Sequence, residues 1–341
     1  MDPKMRKIVS KALNANYHIG ALSLYLMKSC RSQLSPMSKK VQNETGENII
    51  SVKAKMMMSA FVTGCTFEEY YYLQFYRRTL KNQNTYFTTF YNSSIQSKYN
   101  DYDQKDVFLD KAKFNQKYRQ FRKIPWISMD SDIGEIADFL HLVDEVILKP
   151  RKGDSGKGIF VAKSSEILAN ADFESWVAMH RDYICEKRIY NSPEMNLLNS
   201  TSLNTLRVIT FLTGMTCNII WTGVRIGKPG EIVDNISAGG VCCPIDLTSG
   251  KIIGNPLAKK STVELDYRLV GTQIPDWKEV LKFIKDIALV TPSMRFMAWD
   301  IAISSEGLVV IEGNHSFGNT VCQIHQGTDD DGLRAVMKKY L

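Results

Sequence analysis

Two pairs of short apolar segments in the C-terminal half of the chain limit its fold more than any other feature. TLRVITFLT (205–213) and NIIWTGVRIG (218–227) alternate like neighbouring antiparallel strands, and FMAWDIAIS (296–304) and LVVIEGN (308–314) flank a Ser-Glu-Gly turn. Between the pairs, WKEVLKFIKDIALV carries apolar residues at the spacing of one helix face. Strands and helices in this mixed order predict an α+β fold with more than one sheet.

The first hundred residues carry helix signals instead. Thr66 followed by Glu69 predicts a capping box before FEEYYYLQFYRRTL, whereas residues 81–104 are polar and predict an irregular connector. The first 27 residues combine basic side chains with a short apolar run, and they predict an amphipathic helix rather than a signal peptide. Attachment of that helix to a membrane surface stays open.

Composition and charge exclude several classes of protein. The 341 residues are 44% hydrophobic and 23% charged, which suits a globular protein with two or three lobes. No segment reaches the roughly 20 apolar residues that span a bilayer, and the Cys and His residues form neither CxxC nor HExxH. The formal charge of +7 is spread along the chain and suits an anionic small ligand as well as nucleic acid. We expect a soluble, cytoplasmic protein with reduced thiols, no zinc and no nucleic-acid partner.

A glycine-rich loop lies within VILKPRKGDSGKGIFV (146–161), between two strand-like segments. It is neither a Walker A loop nor a dinucleotide-binding loop, because a strand rather than a helix follows it. The backbone N–H groups around Gly153, Gly156 and Gly158 can still surround an anion, with the Ser155 hydroxyl and the Lys149 ammonium beside them. Phosphate binding is one interpretation of this loop, and a flexible surface hairpin is the other.

Three oxygen donors lie at the other end of the chain. Asp300 is in an apolar strand, where an unpaired carboxylate is costly. Glu312 and Asn314 are two residues apart in the returning strand, so they share one face. Two carboxylates and an amide on adjacent strands suit Mg²⁺, which completes its shell with phosphate oxygens and water. The alternative is a carboxylate that pairs with a nearby arginine.

Arg207 and Arg225 lie on consecutive predicted strands, and DNISAGG (234–240) adds a second glycine-containing loop with Asn235. A guanidinium matches carboxylate and phosphoryl oxygens by its fork of donors. Taken alone, each arginine is explained as well by a surface ion pair. Glu186, at the end of the predicted strand YICE, is likewise unremarkable by itself.

Taken in chain order, these motifs resemble those of the ATP-grasp superfamily of carboxylate–amine ligases. The order is DKxxF, ILKP with the glycine loop, a strand that ends in Glu, TLRV, VRxG, NxxxGG and WDIA…IEGN. The chain looks most similar to the sugar-transfer-associated ATP-grasp proteins of polysaccharide biosynthesis clusters. The resemblance covers about residues 106–325.

The resemblance implies a fold and its division. Two α+β lobes would clasp ATP, and a mainly helical region, residues 1–105, would precede them. Residues 106–185 would form the small lobe with the glycine loop as a lid. Residues 186–341 would form the large lobe with the metal site.

The resemblance also implies roles for individual residues. Lys113 and Lys149 would contact ATP, the loop Gly153–Gly158 would fold over its phosphates, and Glu186 with the following backbone would hold adenine and ribose. The site would also hold two Mg²⁺ ions. Arg207 would lie at the transferring phosphoryl group, and Arg225 and Asn235 would lie near an acyl phosphate. The metal ligands would be Asp300, Glu312 and Asn314. For His315 beside them two interpretations stay open, contact with the acceptor and a loop histidine satisfied locally.

The activity implied is ATP-dependent joining of a carboxylate to an amine through an acylphosphate, in polysaccharide biosynthesis or modification. The partners would then be ATP, a small or sugar-linked carboxylate and an amine acceptor. Two alternatives stay open: a phosphotransferase acting on a sugar or small molecule, and a non-catalytic scaffold for a glycosyltransferase.

Overall fold

The computed structural model of the chain describes residues 25, 26, 28–153, 156–231, 234, 239–254, 269–318, 320–324 and 331–341. The first 24 residues of the predicted amphipathic helix lie outside the described residues, as do Ser155 and Asn235.

A four-stranded antiparallel sheet lies in the middle of the chain. Its strands are β1 (Trp126–Ser128), β2 (Glu145–Pro150), β3 (Phe160–Lys163) and β4 (Tyr183–Lys187), in the order β1-β4-β2-β3. β2 pairs with β3, which confirms the predicted hairpin around the glycine loop. The helices that share its hydrophobic core are Ile133–Leu142, Ser164–Leu168 and Phe173–Met179. The predicted lobe boundary between residues 185 and 186 falls inside β4, whose residues all pair with this sheet.

A larger, five-stranded antiparallel sheet follows. Its strands are β5 (Thr205–Thr213), β6 (Thr216–Ile226), β7 (Val241–Pro244), β8 (Phe296–Ser304) and β9 (Gly307–Asn314), in the order β7-β6-β5-β8-β9. Both predicted strand pairs, β5–β6 and β8–β9, are confirmed. The helix Trp277–Ala288 is confirmed as well, and its stripe of Trp277, Val280, Ile284 and Ile287 is buried in the core of this sheet.

The N-terminal region is helical, and its predicted capping box is present. The Thr66 side chain accepts from the Glu69 backbone N–H at 3.1 Å, and the Glu69 carboxylate accepts from the Thr66 N–H at 2.9 Å. The regular helices here are Ser35–Thr45, Ile49–Thr63, Phe67–Tyr72, Leu80–Gln83 and Thr89–Tyr99. Shorter turns are the π-helical Cys30–Leu34 and the 3₁₀ segments Phe75–Arg77 and Tyr102–Gln104.

The predicted irregular connector at residues 81–104 is wrong, because the helix Thr89–Tyr99 and parts of two shorter helical segments, Leu80–Gln83 and Tyr102–Gln104, make up most of it. This helix is held by a distant partner and by burial: Asn92 Nδ2 donates to the Phe317 carbonyl at 2.7 Å, and Ile95 is buried. A pattern of neighbouring residues cannot show such long-range partners, so tertiary packing overrides it here.

The remaining helices are Lys105–Leu109, Lys111–Lys117, Arg119–Arg122, Pro193–Asn196 and Leu333–Met337. Within the described ranges, every helix is too short or too polar to cross a bilayer. The molecule is α+β with two antiparallel sheets and a mostly helical N-terminal region, as the sequence predicts.

Candidate active site

A cleft of about 730 Å³ is lined by residues of both sheets and of the glycine loop. Seven Lys or Arg side chains and four Asp or Glu side chains line it. This excess of positive charge in a concave site favours an anionic ligand.

On the larger sheet, charged side chains form a row across three strands. Arg207 on β5 pairs directly with Asp300 on β8, and Asp300 pairs with Glu312 on β9. Arg207 Nε lies 2.7 Å from Asp300 Oδ1, and Arg225 Nη1 lies 2.9 Å from Asp300 Oδ2. Asn314 Nδ2 donates to Glu312 Oε1 at 3.1 Å. Directly opposite residues on one face of a sheet are close neighbours, so the register itself brings these groups together.

The pKa values of the two carboxylates in this row, Asp300 and Glu312, are shifted in opposite directions. Burial acts to raise the pKa of Asp300, but the Arg207 and Arg225 guanidiniums outweigh it and hold that pKa below its usual range. Burial and then the charge of Asp300 raise the pKa of Glu312. Asp300 is therefore the firmly ionised member of the pair, and Glu312 the one that burial disfavours as an anion.

The donor set of this row fits Mg²⁺. Asp300 Oδ1 is buried and accepts no well-directed hydrogen bond from the described residues. Among those residues no group of three or more His, Cys, Asp and Glu could hold a metal ion. The oxygen donors that the row offers are two carboxylates and the Asn314 amide. Mg²⁺ is commonly bound by one or two carboxylates and completed by phosphate and water, whereas a fully protein-made cage is not its preference.

A third carboxylate, Asp234, continues the row. Arg225 Nη2 lies 3.2 Å from Asp234 Oδ1, and the Thr205 hydroxyl donates to the same carboxylate. Burial raises the pKa of Asp234 although Arg225 opposes the shift. The Arg225 guanidinium thus lies between two carboxylates, the partly buried Asp234 and the buried Asp300.

Across the cleft, Glu186 on β4 is the centre of a buried polar cluster. Its oxygens accept from Arg122 Nη2 at 2.5 Å, Lys149 Nζ at 2.6 Å and Asn115 Nδ2 at 2.8 Å. Burial acts to raise the pKa of Glu186, but Arg122 and Lys149 prevail and lower it to about 2. Lys149, the penultimate residue of β2, is therefore fixed by a carboxylate that stays ionised.

The glycine loop is held at its base by Lys111. The Lys111 ammonium donates to the Pro150 carbonyl at 3.0 Å and to the Gly153 carbonyl at 2.9 Å. Gly153, Gly156 and Gly158 all have positive φ, which L side chains rarely adopt. At Gly158 a Cβ would also lie 3.0 Å from Pro150 and 3.1 Å from Tyr183, so glycine is required there for two reasons.

One protein-family model matches residues 91–339, more than two thirds of the chain, and its description is sugar-transfer associated ATP-grasp. The chain belongs to this family. The match includes the whole range of the resemblance seen in the sequence motifs. No curated protein sequence matches this ATP-grasp chain.

Solved structures with a similar arrangement are distant in sequence. D-alanyl-alanine synthetase A from Vibrio cholerae is 10% identical, with 69% of this chain and 60% of that chain covered and a TM-score of 0.39. The ATP-grasp ligase PsnB with its minimal precursor is 12% identical (71% and 62% covered, TM-score 0.44). The L-amino acid ligase from Bacillus licheniformis is 10% identical (69% and 48% covered, TM-score 0.41). The chain spans less than two thirds of the length of these proteins, and nothing about its activity follows from similarity at this level.

Most of the site residues predicted for this ATP-grasp chain meet in the cleft. The ones that line it are Lys149, Gly153, Gly156, Glu186, Arg207, Arg225, Asp300, Glu312 and Asn314, and His315 lines it as well. Gly158 lies behind the loop against Pro150 and Tyr183. Ser155 and Asn235 lie outside the described residues.

The structure does not bring Lys113 to the cleft. Its side chain is about half exposed and pairs with Asp106 at 2.6 Å, whereas Lys111 lines the cleft. Two residues along a helix turn the side chain by roughly 200°, so Lys111 and Lys113 cannot share a face. Lys111 is the lysine of the DKxxF motif itself, so the motif could have identified the lysine that lines the cleft.

Asn115, Arg122 and Asp234 also line the cleft, and the sequence motifs did not single them out. Asn115 and Asp234 lie within or beside matched motifs, DKxxF and NxxxGG, and could have been examined for that reason. Arg122 follows no motif, and only its burial in the folded chain reveals it.

Proposed function

We propose that this ATP-grasp protein is an ATP-dependent ligase that joins a carboxylate to an amine. The observation that carries the proposal is the cross-strand row of Arg207, Asp300 and Glu312, which shares one cleft with Lys149 and the glycine loop. Phosphoryl transfer needs positioning and charge neutralisation rather than a protein nucleophile. This combination of groups supports that chemistry.

In the proposed complex, the ATP phosphates lie between the glycine loop and the larger sheet. Lys149, Lys111 and the backbone of Gly153–Gly158 surround them. Because both Glu186 oxygens already accept hydrogen bonds, we assign Glu186 to holding Lys149. The backbone after Glu186 is then left for adenine and ribose.

Asp300, Glu312 and Asn314 are the proposed ligands of two Mg²⁺ ions. Bound there, the ions would neutralise the phosphate oxygens around the reacting centre. Arg207 contacts Asp300 in the structure and its side chain is 19% exposed, so it can turn from that carboxylate to the transferring phosphoryl group. Arg225 and Asn235 are assigned to the acylphosphate end of the cleft.

The reaction proceeds in two balanced steps. A substrate carboxylate oxygen attacks the γ-phosphorus, the bond to the β-phosphate oxygen breaks, and ADP leaves with an acylphosphate formed. The amine nitrogen then attacks the acyl carbon, inorganic phosphate leaves, and the amine loses a proton. The lysines, loop amides and Arg207 stabilise the charge that moves in the first step.

The wider role we propose is the building or modification of a glycan, such as joining an amino acid or amino alcohol to a uronic acid. The family description supports this role by association rather than by the chemistry of the cleft.

A phosphate-release screen tests the activity. Purified protein with ATP and Mg²⁺ is mixed with panels of carboxylates, including uronic acids, and of amines. A ligase releases free phosphate and forms an amide only when both co-substrates are present, and Glu312→Gln serves as the control for contaminating ATPases. Product that keeps the phosphate, with no amine requirement, would instead establish a phosphotransferase and refute the ligase proposal.

A further inference from the structure

Arg122 is a buried cation at the end of the short helix Arg119–Arg122, and its side chain is 2% exposed. A buried guanidinium is tolerated only where its charge and donors find partners. Its partners lie on both sheets. Nη2 contacts Glu186 on β4, while Nη1 donates to the carbonyls of Val310 at 3.1 Å and Ile311 at 2.7 Å on β9.

The two carbonyls belong to a β-bulge. Asp300 pairs with Glu312, but the next residue, Ile301, pairs with Val310, so Ile311 has no partner on β8. In a regular strand, adjacent side chains point to opposite faces. Here Ile311 and Glu312 both line the cleft, as do Gly313 and Asn314 after them. A bulge re-aims side chains in this way and is often found beside active sites.

We propose that Arg122 is a positioning residue that fixes the bulge at Ile311 and so aims Glu312 at the cleft. The inference rests on the proposed function, in which Glu312 binds Mg²⁺. β9 is an edge strand of the larger sheet, and at its bulge Arg122 Nη1 donates to two consecutive carbonyls at once, while Nη2 contacts Glu186. Without that fork the bulge can relax, and Glu312 loses its fixed direction.

The same guanidinium acts on the opposite wall of the cleft. Arg122 holds Glu186, and Glu186 in turn holds Lys149 at 2.6 Å. Arg122 therefore helps to position two groups at once: Glu312, the proposed metal ligand on the larger sheet, and Lys149, the proposed phosphate-binding lysine on the smaller sheet. The nucleotide and the metal are thereby coupled through Arg122, although Arg122 need not be a ligand of either.

The test measures that coupling directly. The Kd of a non-hydrolysable ATP analogue is determined by calorimetry in EDTA and in Mg²⁺, and the ratio of the two values is compared between variants. Arg122→Lys keeps the charge but not the planar fork. We expect the Mg²⁺-dependent gain in affinity to fall by about 10- to 100-fold, the usual effect of losing a group that orients a metal ligand. The Kd in EDTA is expected to change much less.

Tyr118→Phe is the matched control. Tyr118 is buried in the same segment and donates to Thr291 at 3.1 Å, outside both walls of the cleft. It should lower stability and leave the Mg²⁺ ratio unchanged. If Arg122→Lys does not fold, the double variant Arg122→Gln with Glu186→Gln removes the most buried pair of charges together, leaves Lys149, which is 13% exposed, as the remaining charge, and is measured in the same way. There too the ratio is expected to fall.

The outcomes separate the two proposals. The positioning role alone is overturned if the wild-type protein binds the analogue more tightly with Mg²⁺ and the Arg122 variant keeps the full Mg²⁺-dependent gain in affinity. A wild-type protein that binds no nucleotide under any condition overturns the proposed function itself. Loss of the ratio in the Arg122 variant with retention in Tyr118→Phe supports the inference.

Discussion

At the scale of single residues, the cleft is organised by buried carboxylates that each lie between two cations. Glu186 contacts Arg122 and Lys149, and Asp300 contacts Arg207 and Arg225. Removing one partner from a buried ion pair is far more costly than removing both, because the remaining charge is left without compensation. Substitutions at these positions therefore affect stability as well as function.

Glu312→Gln is the cleaner test of the metal site. Among the residues that the structure describes, Glu312 has no cationic partner as close as those of Asp300, so its amide replacement should leave the unfolding free energy nearly unchanged. Loss of a proposed Mg²⁺ ligand would weaken the cation that neutralises the reacting phosphate, so ATP turnover should fall by about 100-fold or more. Asp300→Asn should lower turnover too, but also stability, because Arg207 and Arg225 lose their shared partner. Near-normal phosphate release by both purified variants would contradict the metal assignment.

Glu186→Gln should destabilise the fold in a pH-dependent way. The folded pKa of Glu186 is about 2 against an ordinary value of 4.5. Because the pKa is lowered by folding, the ionised group stabilises the fold above about pH 4.5, and this contribution disappears as the pH falls towards 2. Urea unfolding at pH 7 should show a loss of about 3–5 kcal/mol. The difference from wild type should shrink below pH 4.5.

The surface variant Glu174→Gln is the control for that series and should stay within about 0.5 kcal/mol of wild type. A Glu186→Gln deficit that is as large at pH 3 as at pH 7 would show that packing, rather than charge, is lost.

At the scale of secondary-structure elements, two hairpins carry most of the proposed site residues: β2–β3 with the glycine loop, and β8–β9 with the proposed metal ligands. The turn in the first depends on three glycines with positive φ, and the second carries the bulge at Ile311. Both departures from regular strand geometry lie at the cleft. Regular strands build the two walls, and the irregular positions direct backbone and side chains into the space between them.

Gly158→Ala should distort the glycine loop. The positive φ of 75° disfavours any L side chain, and the added methyl would crowd Pro150 and Tyr183. We expect a loss of about 1–2 kcal/mol in unfolding free energy from the backbone conformation alone, and weaker binding of ATP analogues. Gly318→Ala, where a Cβ meets open space and φ is not in the left-handed region, should keep its stability. Equal melting temperatures for the two variants would argue against a required glycine at 158.

At the scale of the whole molecule, the N-terminal helices are bonded into the larger sheet and the C-terminal segment. Gln323, fully buried, donates to the Phe87 carbonyl and accepts from the Phe87 N–H, both at 2.9 Å. Asn100 donates to the Phe296 carbonyl at 2.8 Å and accepts from its N–H at 2.8 Å. These contacts join residues more than 190 positions apart, so the helical region is part of the same structure as the cleft.

The helical region and the larger sheet should therefore unfold together. All five Trp residues lie beyond residue 105, so fluorescence reports on the two sheets, whereas far-UV circular dichroism reports on the helices as well. We expect one urea transition for both signals. Gln323→Ala should shift both midpoints equally, with a loss of about 1–3 kcal/mol from removal of its two hydrogen bonds to the Phe87 backbone. Two separated midpoints in the wild-type protein would contradict this coupling.

The amino-acid sequence by itself determined the strand pairs, the helix Trp277–Ala288, the capping box and the positions of Asp300, Glu312 and Asn314. These features depend on periodicity and on residues close together in the chain, which a pattern can express. Only the tertiary structure decided that Lys111 rather than Lys113 lines the cleft, that residues 89–99 form a helix, and that Arg122 connects the two sheets. In each case the outcome depends either on a partner that is distant in sequence or on the direction in which one side chain points. The free energy of a buried charge depends on partners that only folding brings within reach.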